Sequence, residues 1–261
     1  MTTKETFEQY VPSFRDCEDE IFESIEVYLQ KVEEDILKEY NLSTSNAQDA
    51  TLAPLLEAYV CKRTAYEALP HLDLILTSNG FAVISNQNLT PASRQRVDEL
   101  RERLRREKSD TRDDFLKELR NRGMVQVNSL LWNPSLVRKY GIRTKDGKEV
   151  YEEEMQLVQT DIDTAQYKCA RIISEEQMDV QVSYQDTEQD EDPFFTELCR
   201  LLMAACVNGE PHKIKTMARQ LQSYLNQHGE EMQSYKQSSK YEADHFQPYE
   251  NKRDDACFFF G

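Results

Sequence analysis

Residues 14–40, FRDCEDEIFESIEVYLQKVEEDILKEY, decide the fold class of this chain. Their apolar residues recur at steps of three and four, which places them along one face of a helix. That face consists of Phe14, Cys17, Ile21, Ile25, Tyr28, Val32, Ile36 and Tyr40. The stretch therefore predicts one long amphipathic helix that packs against other helices.

The same spacing predicts further helices over residues 49–69, 90–122, 150–174, 193–207 and 211–235. In the charged helix over 90–122, Ser109-Asp110 offers a cap that would break it into two segments. Asn208-Gly209 is a helix-ending signal between the last two helices. Alternation of apolar and polar residues favours short strands at 124–131 and 179–184.

Residues 72–85, LDLILTSNGFAVIS, have a different texture. Two apolar runs flank Asn79-Gly80, the pair preferred where both central residues of a hairpin turn need a positive φ. We expect a β-hairpin at about residues 72–86. Its contact residues are expected to lie near the turn, at Leu76, Asn79, Gly80 and Phe81.

These patterns together predict a mainly α fold, an elongated helical bundle with a projecting β-hairpin and an extended C-terminal tail. The expected organisation is an N-terminal helical region with the hairpin (1–122), a connecting segment (123–149), a second helical region (150–235) and the tail (236–261).

The composition is strongly acidic, with 32 Lys and Arg against 48 Asp and Glu and a formal net charge of −16. Nucleic-acid affinity depends on neutralising phosphates with basic groups, and anionic membranes select the same groups. The chain is therefore poorly suited to bind either, although a negative wall suits a channel through which DNA passes without sticking. The basic run over residues 94–122 holds eleven Arg and Lys, but eight Asp and Glu interleave with it, which favours a solvated, self-compensating face.

Signatures of catalysis and of cofactor or metal binding are absent from the sequence. It contains no Walker loop, GxGxxG, HExxH, GxSxG or paired CxxC, and its four histidines are far apart. Residues 186–197 have the carboxylate spacing of a calcium loop, but Glu191 stands where that loop needs glycine. We expect no enzyme activity, no cofactor and no metal site.

The six cysteines are scattered among apolar neighbours, which favours reduced, buried thiols. The opening MTTKETFEQY lacks the apolar stretch of a signal peptide, and no run is long enough to span a membrane. Both observations lead us to expect synthesis and residence in a cytoplasm.

The closing residues combine a polar stretch with aromatic side chains at Phe246, Tyr249, Phe258, Phe259 and Phe260. Three consecutive phenylalanines cannot all be buried by one helix face, and exposing them to water is unfavourable. They suit a docking tail that adds to a partner's sheet or fills its pocket. The alternative is a tail that packs on the protein's own helices.

Residues 66–104, YEALPHLDLILTSNGFAVISNQNLTPASRQRVDELRERL, resemble a protein family of Bacteroidota phages and prophages. In that family a stretch of the form AI-P-LDLVLT-P-GFGIVSN-N-APAS-ERV recurs, and the closing YENKRDDACFFFG resembles its ENK…F-F-G ending. The chain departs from the pattern at Ala82, where glycine is usual, and at Thr90, where alanine is usual. The second half of the chain is similar only loosely.

The resemblance implies a head–tail connector, a neck or adaptor protein of the virion that assembles in the bacterial host cytoplasm. Its implied partners are further copies of itself in a ring of about twelve, the portal protein, and tail or other neck proteins. DNA would be met only by passage through the channel, and no membrane would be involved.

Two alternatives from other classes stay open. A cytosolic helical scaffold or regulatory interaction protein would have the same helices but no virion role. An enzyme with a dispersed site would need a cleft in which carboxylates and histidines converge.

Overall fold

The computed structural model describes residues 2–15, 19–43, 49–72, 75–77, 80–82, 94–187 and 190–246. The chain divides into two compact units. Unit 1 comprises Met1–Gln126, Trp132–Lys139 and Arg143–Leu157. Unit 2 comprises Val127–Leu131, Tyr140–Ile142 and Val158–Gly261. The predicted connecting segment 123–149 is thus divided between both units.

The described chain is mainly helical, as predicted. Unit 1 contains helix α1 (Lys4–Tyr10), a 3-10 turn (Pro12–Phe14), α2 (Asp19–Glu39), α3 (Leu52–Leu72), strands β1 (Ile75–Thr77) and β2 (Gly80–Ala82), α4 (Arg94–Asn121) and α5 (Pro134–Lys139). Helix α6 (Met155–Ile173) begins at the end of unit 1 and continues in unit 2, followed by α7 (Glu175–Tyr184), α8 (Pro193–Val207), α9 (Pro211–His228), α10 (Gln233–Lys236) and α11 (Ser239–Asp244).

Helices α2, α3 and α4 pack together around the core of unit 1. The inner face of α2 buries Ile25, Leu29, Val32 and Ile36, at the steps of three and four that the sequence predicts. The predicted start at residue 14 is wrong. Phe14 ends a 3-10 turn that begins at Pro12, and its ring packs edge-on against Phe7 at 5.7 Å between centroids.

Helix α4 is continuous, so the break predicted at Ser109-Asp110 is wrong. The hydroxyl of Ser109 is buried and accepts a hydrogen bond from Arg138 at 3.1 Å, and the same guanidinium donates to Asp110 at 2.5 Å. Because both side chains bind another segment, they do not compete for the backbone of their own helix. Ser109-Asp110 therefore resembles a helix cap in the sequence but does not cap a helix in the structure.

The end of α4 excludes the strand predicted at 124–131. The amide of Met124 donates to the Leu119 carbonyl at 2.9 Å, and that of Gly123 donates to the Arg120 carbonyl at 2.8 Å. Gly123 has a φ of +70°, as this way of ending a helix requires. The residues that follow are irregular.

Strands β1 and β2 form a short antiparallel pair, with Ile75 opposite Ala82, Leu76 opposite Phe81 and Thr77 opposite Gly80. Each strand has three residues, fewer than the predicted hairpin over 72–86 requires. Asn79 lies outside the described residues, as do the positions of the side chains of both strands. A projecting hairpin is not supported by this pair alone and stays a proposal.

The strand predicted at 179–184 is wrong, because these residues belong to helix α7. The hydroxyl of Ser174 accepts a hydrogen bond from the Gln177 amide at 3.1 Å and caps the helix. Gln177, Met178, Gln181 and Val182 are buried, which is helical spacing. Val180 and Val182 are two residues apart, which resembles the alternation of a strand, although both lie in this helix.

Helix α8 has the predicted bounds, and the chain turns after it at Asn208 and Gly209, where the glycine has a φ of +65°. Helix α9 ends at His228 instead of the predicted residue 235. Gly229 follows, and a Cβ there would lie 2.8 Å from the ring of buried Tyr235, so the close approach requires glycine.

The C-terminal tail does not begin at residue 236, where an extended chain was predicted. Residues 239–244 form α11, because the Ser238 hydroxyl accepts a hydrogen bond from the Tyr241 amide at 3.2 Å and caps a further turn of helix. Any extended tail therefore starts after Asp244.

Buried Arg200 holds the segment Val127–Leu131 within unit 2. Its Nε donates to the Leu130 carbonyl at 3.2 Å, and its guanidinium also donates to the Gln185 side chain at 2.6 Å and to the Asp186 carboxylate. Gln185 in turn donates to the Ser129 carbonyl at 2.8 Å. Each polar group that burial removes from water thereby has a partner.

Candidate interaction surfaces

The contact residues predicted from the sequence fall mostly outside the described part of the chain. Tyr249, Phe258, Phe259, Phe260 and Asn79 are not described. Leu76 and Phe81 face each other across the strand pair, beside Gly80. Phe246 is the last residue described, and 74% of it is exposed. The structure thus places one residue of the predicted tail, Phe246, on the surface of unit 2.

Contacts of helix α11 with Tyr235 fix the position of Phe246, two residues after the helix ends. The Tyr235 hydroxyl donates to the Asp244 carboxylate at 2.9 Å, and Lys240 pairs with the same carboxylate. The His245 ring stacks on Tyr241 at 4.0 Å between centroids. Phe246 therefore projects from a helix end that is held on several sides.

A groove of about 930 Å³ in unit 2 is a feature that the sequence did not predict. Its lining comes from helix α7, from α9, from the residues before α10 and the start of α10, and from residues 190–192. Its lining is Gln177, Val180, Gln181, Tyr184, Asp190, Glu191, Asp192, Tyr224, His228, Glu231, Met232, Gln233 and Ser234. No lysine or arginine belongs to this lining in the part of the chain that the structure describes.

The groove carries carboxylates that no cation of the described chain neutralises. Asp192 caps α8 by accepting from the Phe195 amide at 3.0 Å, and Asp190 accepts from the Thr196 hydroxyl at 3.2 Å. These two acids have local structural roles. Glu191 and Glu231 are exposed, and the His228 ring lies 3.7 Å from the Glu231 carboxylate. They leave a local excess of negative charge.

Aromatic rings form one wall of the groove. The ring of Tyr224 lies 4.5 Å from His228, 5.5 Å from Phe195 and 5.6 Å from Phe194, measured between centroids. Its hydroxyl donates to Asp192 at 2.7 Å. Burial, together with the Asp192 carboxylate, raises the pKa of Tyr224 to about 12, so this hydroxyl stays neutral. Phe194 is 61% exposed and extends the apolar surface beyond the groove.

In unit 1, the outer face of α2 is acidic. Glu23, Glu26, Glu34 and Asp35 are exposed along it, with Lys31 and Lys38 between and after them. The opposite face carries the buried aliphatic residues of the core. Carboxylates so placed contribute a negative potential to this side of the unit.

Some cations of α4 pair with acids one turn away in the same helix, as predicted, whereas others pair with carboxylates of another segment, which was not predicted. Lys108 is buried and lies 2.7 Å from Glu152, while Arg105 lies 2.7 Å from Glu154. Arg106 and Glu149 are 2.8 Å apart. The run EVYEEE at 149–154 could have indicated these partners in the sequence, because it is the nearest acidic cluster after the basic helix. These pairs reduce the α4 charge that is free to bind phosphates.

No group of three or more His, Cys, Asp or Glu is arranged to hold a metal ion within the part of the chain that the structure describes. No described helix is long and apolar enough to cross a membrane. The thiols of Cys61, Cys169 and Cys199 are buried and unbonded, as the sequence predicts, and Cys206 is also free.

The chain was compared with protein families, with curated proteins and with solved structures. Residues 21–124 match a family of unknown function (DUF6712), which covers less than half of the chain. The matched region runs from α2 to the end of α4. No curated protein and no solved structure matches this chain.

Proposed function

We propose that this chain is a structural head–tail connector subunit, a neck or adaptor protein of a tailed phage. It forms a homo-oligomeric ring beneath the portal, continues the DNA channel to the tail, and belongs to the neck of the virion. The observation that carries the proposal is Phe246, 74% exposed at the start of a segment with Tyr249 and three consecutive phenylalanines. In a subunit that contacts several neighbours, the surfaces of those neighbours can bury such aromatic side chains.

The acidic outer face of α2 supports a channel role. DNA that moves through a pore must not be held by its walls, and phosphate binding depends on unpaired Lys and Arg. Exposed carboxylates on α2 and paired cations on α4 both reduce that attraction. The net charge of −16 acts in the same direction.

The strand pair offers a second contact in this proposal. Leu76 and Phe81 are opposite each other in the register of the pair. In this proposal a β-hairpin that turns at Asn79-Gly80 projects from the subunit and contacts a neighbouring copy. The resemblance of residues 66–104 to phage connectors supports this assignment.

Electron microscopy of the purified full chain, alone and mixed with the portal protein of the same genome, tests the proposal. We expect closed rings that stack coaxially on the portal. The variant Phe246→Asp should lower the yield of portal-bound rings, because it places a charge in the contact. Tyr167→Asp is the matched control, since Tyr167 is also exposed in unit 2 but lies outside the tail.

A non-viral helical scaffold is the competing function. It would also be helical and acidic, but it would have no affinity for a portal. A chain that stays monomeric at high concentration and does not bind the portal would contradict the connector proposal and favour the scaffold.

A further inference from the structure

We propose that the groove of unit 2 binds residues 247–261 of a neighbouring copy, with Lys252 and Arg253 against its carboxylates. This inference rests on the proposed function, because it requires a ring of identical subunits. It assigns the ring contact to a particular surface and a particular segment.

Charge complementarity is the first argument. Glu191 and Glu231 are exposed on the groove, and no Lys or Arg belongs to its described lining. Within residues 247–261 the positive charge is confined to the adjacent pair Lys252-Arg253, which Glu250, Asp254 and Asp255 flank, so the attraction is local to this pair. Each cation that approaches these carboxylates would neutralise charge that the described chain leaves uncompensated.

The second argument is aromatic complementarity. The groove wall presents the rings of Tyr184, Tyr224 and His228, and Phe194 continues that surface. Lys and Arg bind over aromatic faces, and aromatic side chains pack edge-on or offset against them. The segment carries Tyr249 before its basic pair and three phenylalanines after it. The order of groups thus matches both properties of the groove.

Ring geometry makes the neighbouring copy the occupant. Identical subunits close a ring only through a heterologous contact, in which one surface of each copy meets a different surface of the next. The groove and the segment are two such surfaces on one chain. Fifteen residues, at roughly 3.3 Å each when extended, can reach about 50 Å from Phe246, which is enough to cross to an adjacent subunit.

Photo-crosslinking in the full chain tests the contact. We would replace Tyr249 by p-benzoylphenylalanine, irradiate the assembled protein and locate the crosslinks by mass spectrometry. We expect covalent dimers and higher multimers, joined to peptides that contain residues 177–184, 190–192 or 231–234. Crosslinks within one chain, crosslinks to other surfaces, or none at all would each overturn the inference.

Charge variants identify the groups responsible. The double variant Glu191→Lys with Glu231→Lys should lower the yield of intermolecular crosslinks by about tenfold, from two lost attractions and the repulsion that replaces them. Glu230→Lys is the matched control, because Glu230 is exposed beside Glu231 but does not line the groove. Circular dichroism would show that each variant is folded.

A charge swap then decides whether the loss is specific. Adding Lys252→Glu and Arg253→Glu to the double variant should restore most of the crosslinking. If it does not, or if Glu230→Lys has the same effect as the groove variants, the assignment of the basic pair to the groove is wrong.

Failure of this inference is distinguishable from failure of the connector proposal. If rings stack on the portal while Tyr249 crosslinks to another surface, the connector proposal is supported and the groove contact is wrong. If Tyr249 crosslinks to the groove of a second copy but the protein does not bind the portal, the groove contact is supported and the connector proposal is wrong.

Discussion

Asp113 is a carboxyl group that the fold buries almost completely, at 1% exposure. One of its oxygens accepts a hydrogen bond from the Ser135 amide at 2.9 Å, and the other has no hydrogen-bond partner within the described chain. Burial raises the pKa of Asp113 from 3.8 to about 6, although the hydrogen bonds from Ser135 and the charges of Arg112 and Arg138 lower it in part. The ionised form is thus unfavourable in the fold.

We expect Asp113→Asn to alter the pH dependence of stability. The folded carboxyl holds its proton up to about pH 6, whereas the unfolded one releases it near pH 4. Wild-type stability should therefore fall, relative to the variant, as pH rises from 4 to 6, by about 3 kcal/mol in total. Urea unfolding at pH 4, 5, 6 and 7 measures this. A difference between the two proteins that does not change with pH would contradict the pKa.

Single-residue roles were the least predictable from the sequence when they depended on distant partners. The charge of Lys108 and its neighbours predicted a compensated helix, but not that Glu152 would bury this ammonium group. Arg200 has no pattern that marks it as the buried partner of a carbonyl seventy residues earlier. Local spacing carries information about faces, whereas these pairings are set by tertiary packing.

Elements were predicted well where a helix had both a period and caps. Residues 193–207 are the clearest case, with Asp192 and Pro193 at the start and Gly209 at the end. Helix α7 was missed because a ten-residue helix contains few apolar positions, and Val180 and Val182 imitate alternation. The sequence Ser174-Glu-Glu-Gln177 was the better signal, since a serine followed three residues later by glutamine marks a helix start.

We expect Ser174→Ala to destabilise the protein by about 1 kcal/mol, because the Gln177 amide at the start of α7 loses its acceptor. Ser223→Ala is the matched control on the exposed side of α9 and should change the free energy of unfolding by less than about 0.5 kcal/mol. Urea denaturation of both variants provides the comparison. Equal effects would mean that the Ser174 hydroxyl does not cap α7.

At the scale of the whole molecule, composition and periodicity predict the fold class, but they do not predict the interaction surfaces. The acidic balance of the chain is visible in the sequence, but the groove arises where α7 and α9 meet residues far apart in the chain. The sequence predicts a docking tail from its phenylalanines but does not indicate a surface that would receive it. The groove of unit 2 is the surface that we propose.

We expect truncation after Asp255 to leave the melting temperature of the monomer nearly unchanged. The three phenylalanines follow a polar stretch, residues 250–255, that has no apolar period to hold it on the core. The same truncation should impair ring assembly, because burying each phenylalanine is worth roughly 1.5–3 kcal/mol at a partner surface. Calorimetry and light scattering test the two effects. A truncated monomer that unfolds would show that the tail belongs to the core.

The alternation of the chain between its two units has a consequence for biosynthesis. Residues 127–131 belong to unit 2, where Leu130 binds Arg200, which is made about seventy residues later. The last residues of unit 1, 143–157, are also made after residues 127–131. A ribosome that has made residues 1–126 has therefore not yet supplied the acids that neutralise Lys108 and Arg105. At roughly 5–20 residues per second, the wait for Arg200 lasts about 4 to 15 seconds. During that interval the contacts of Arg200 in unit 2 cannot form, and we expect chaperones that act at the ribosome exit to shorten the exposure of this segment.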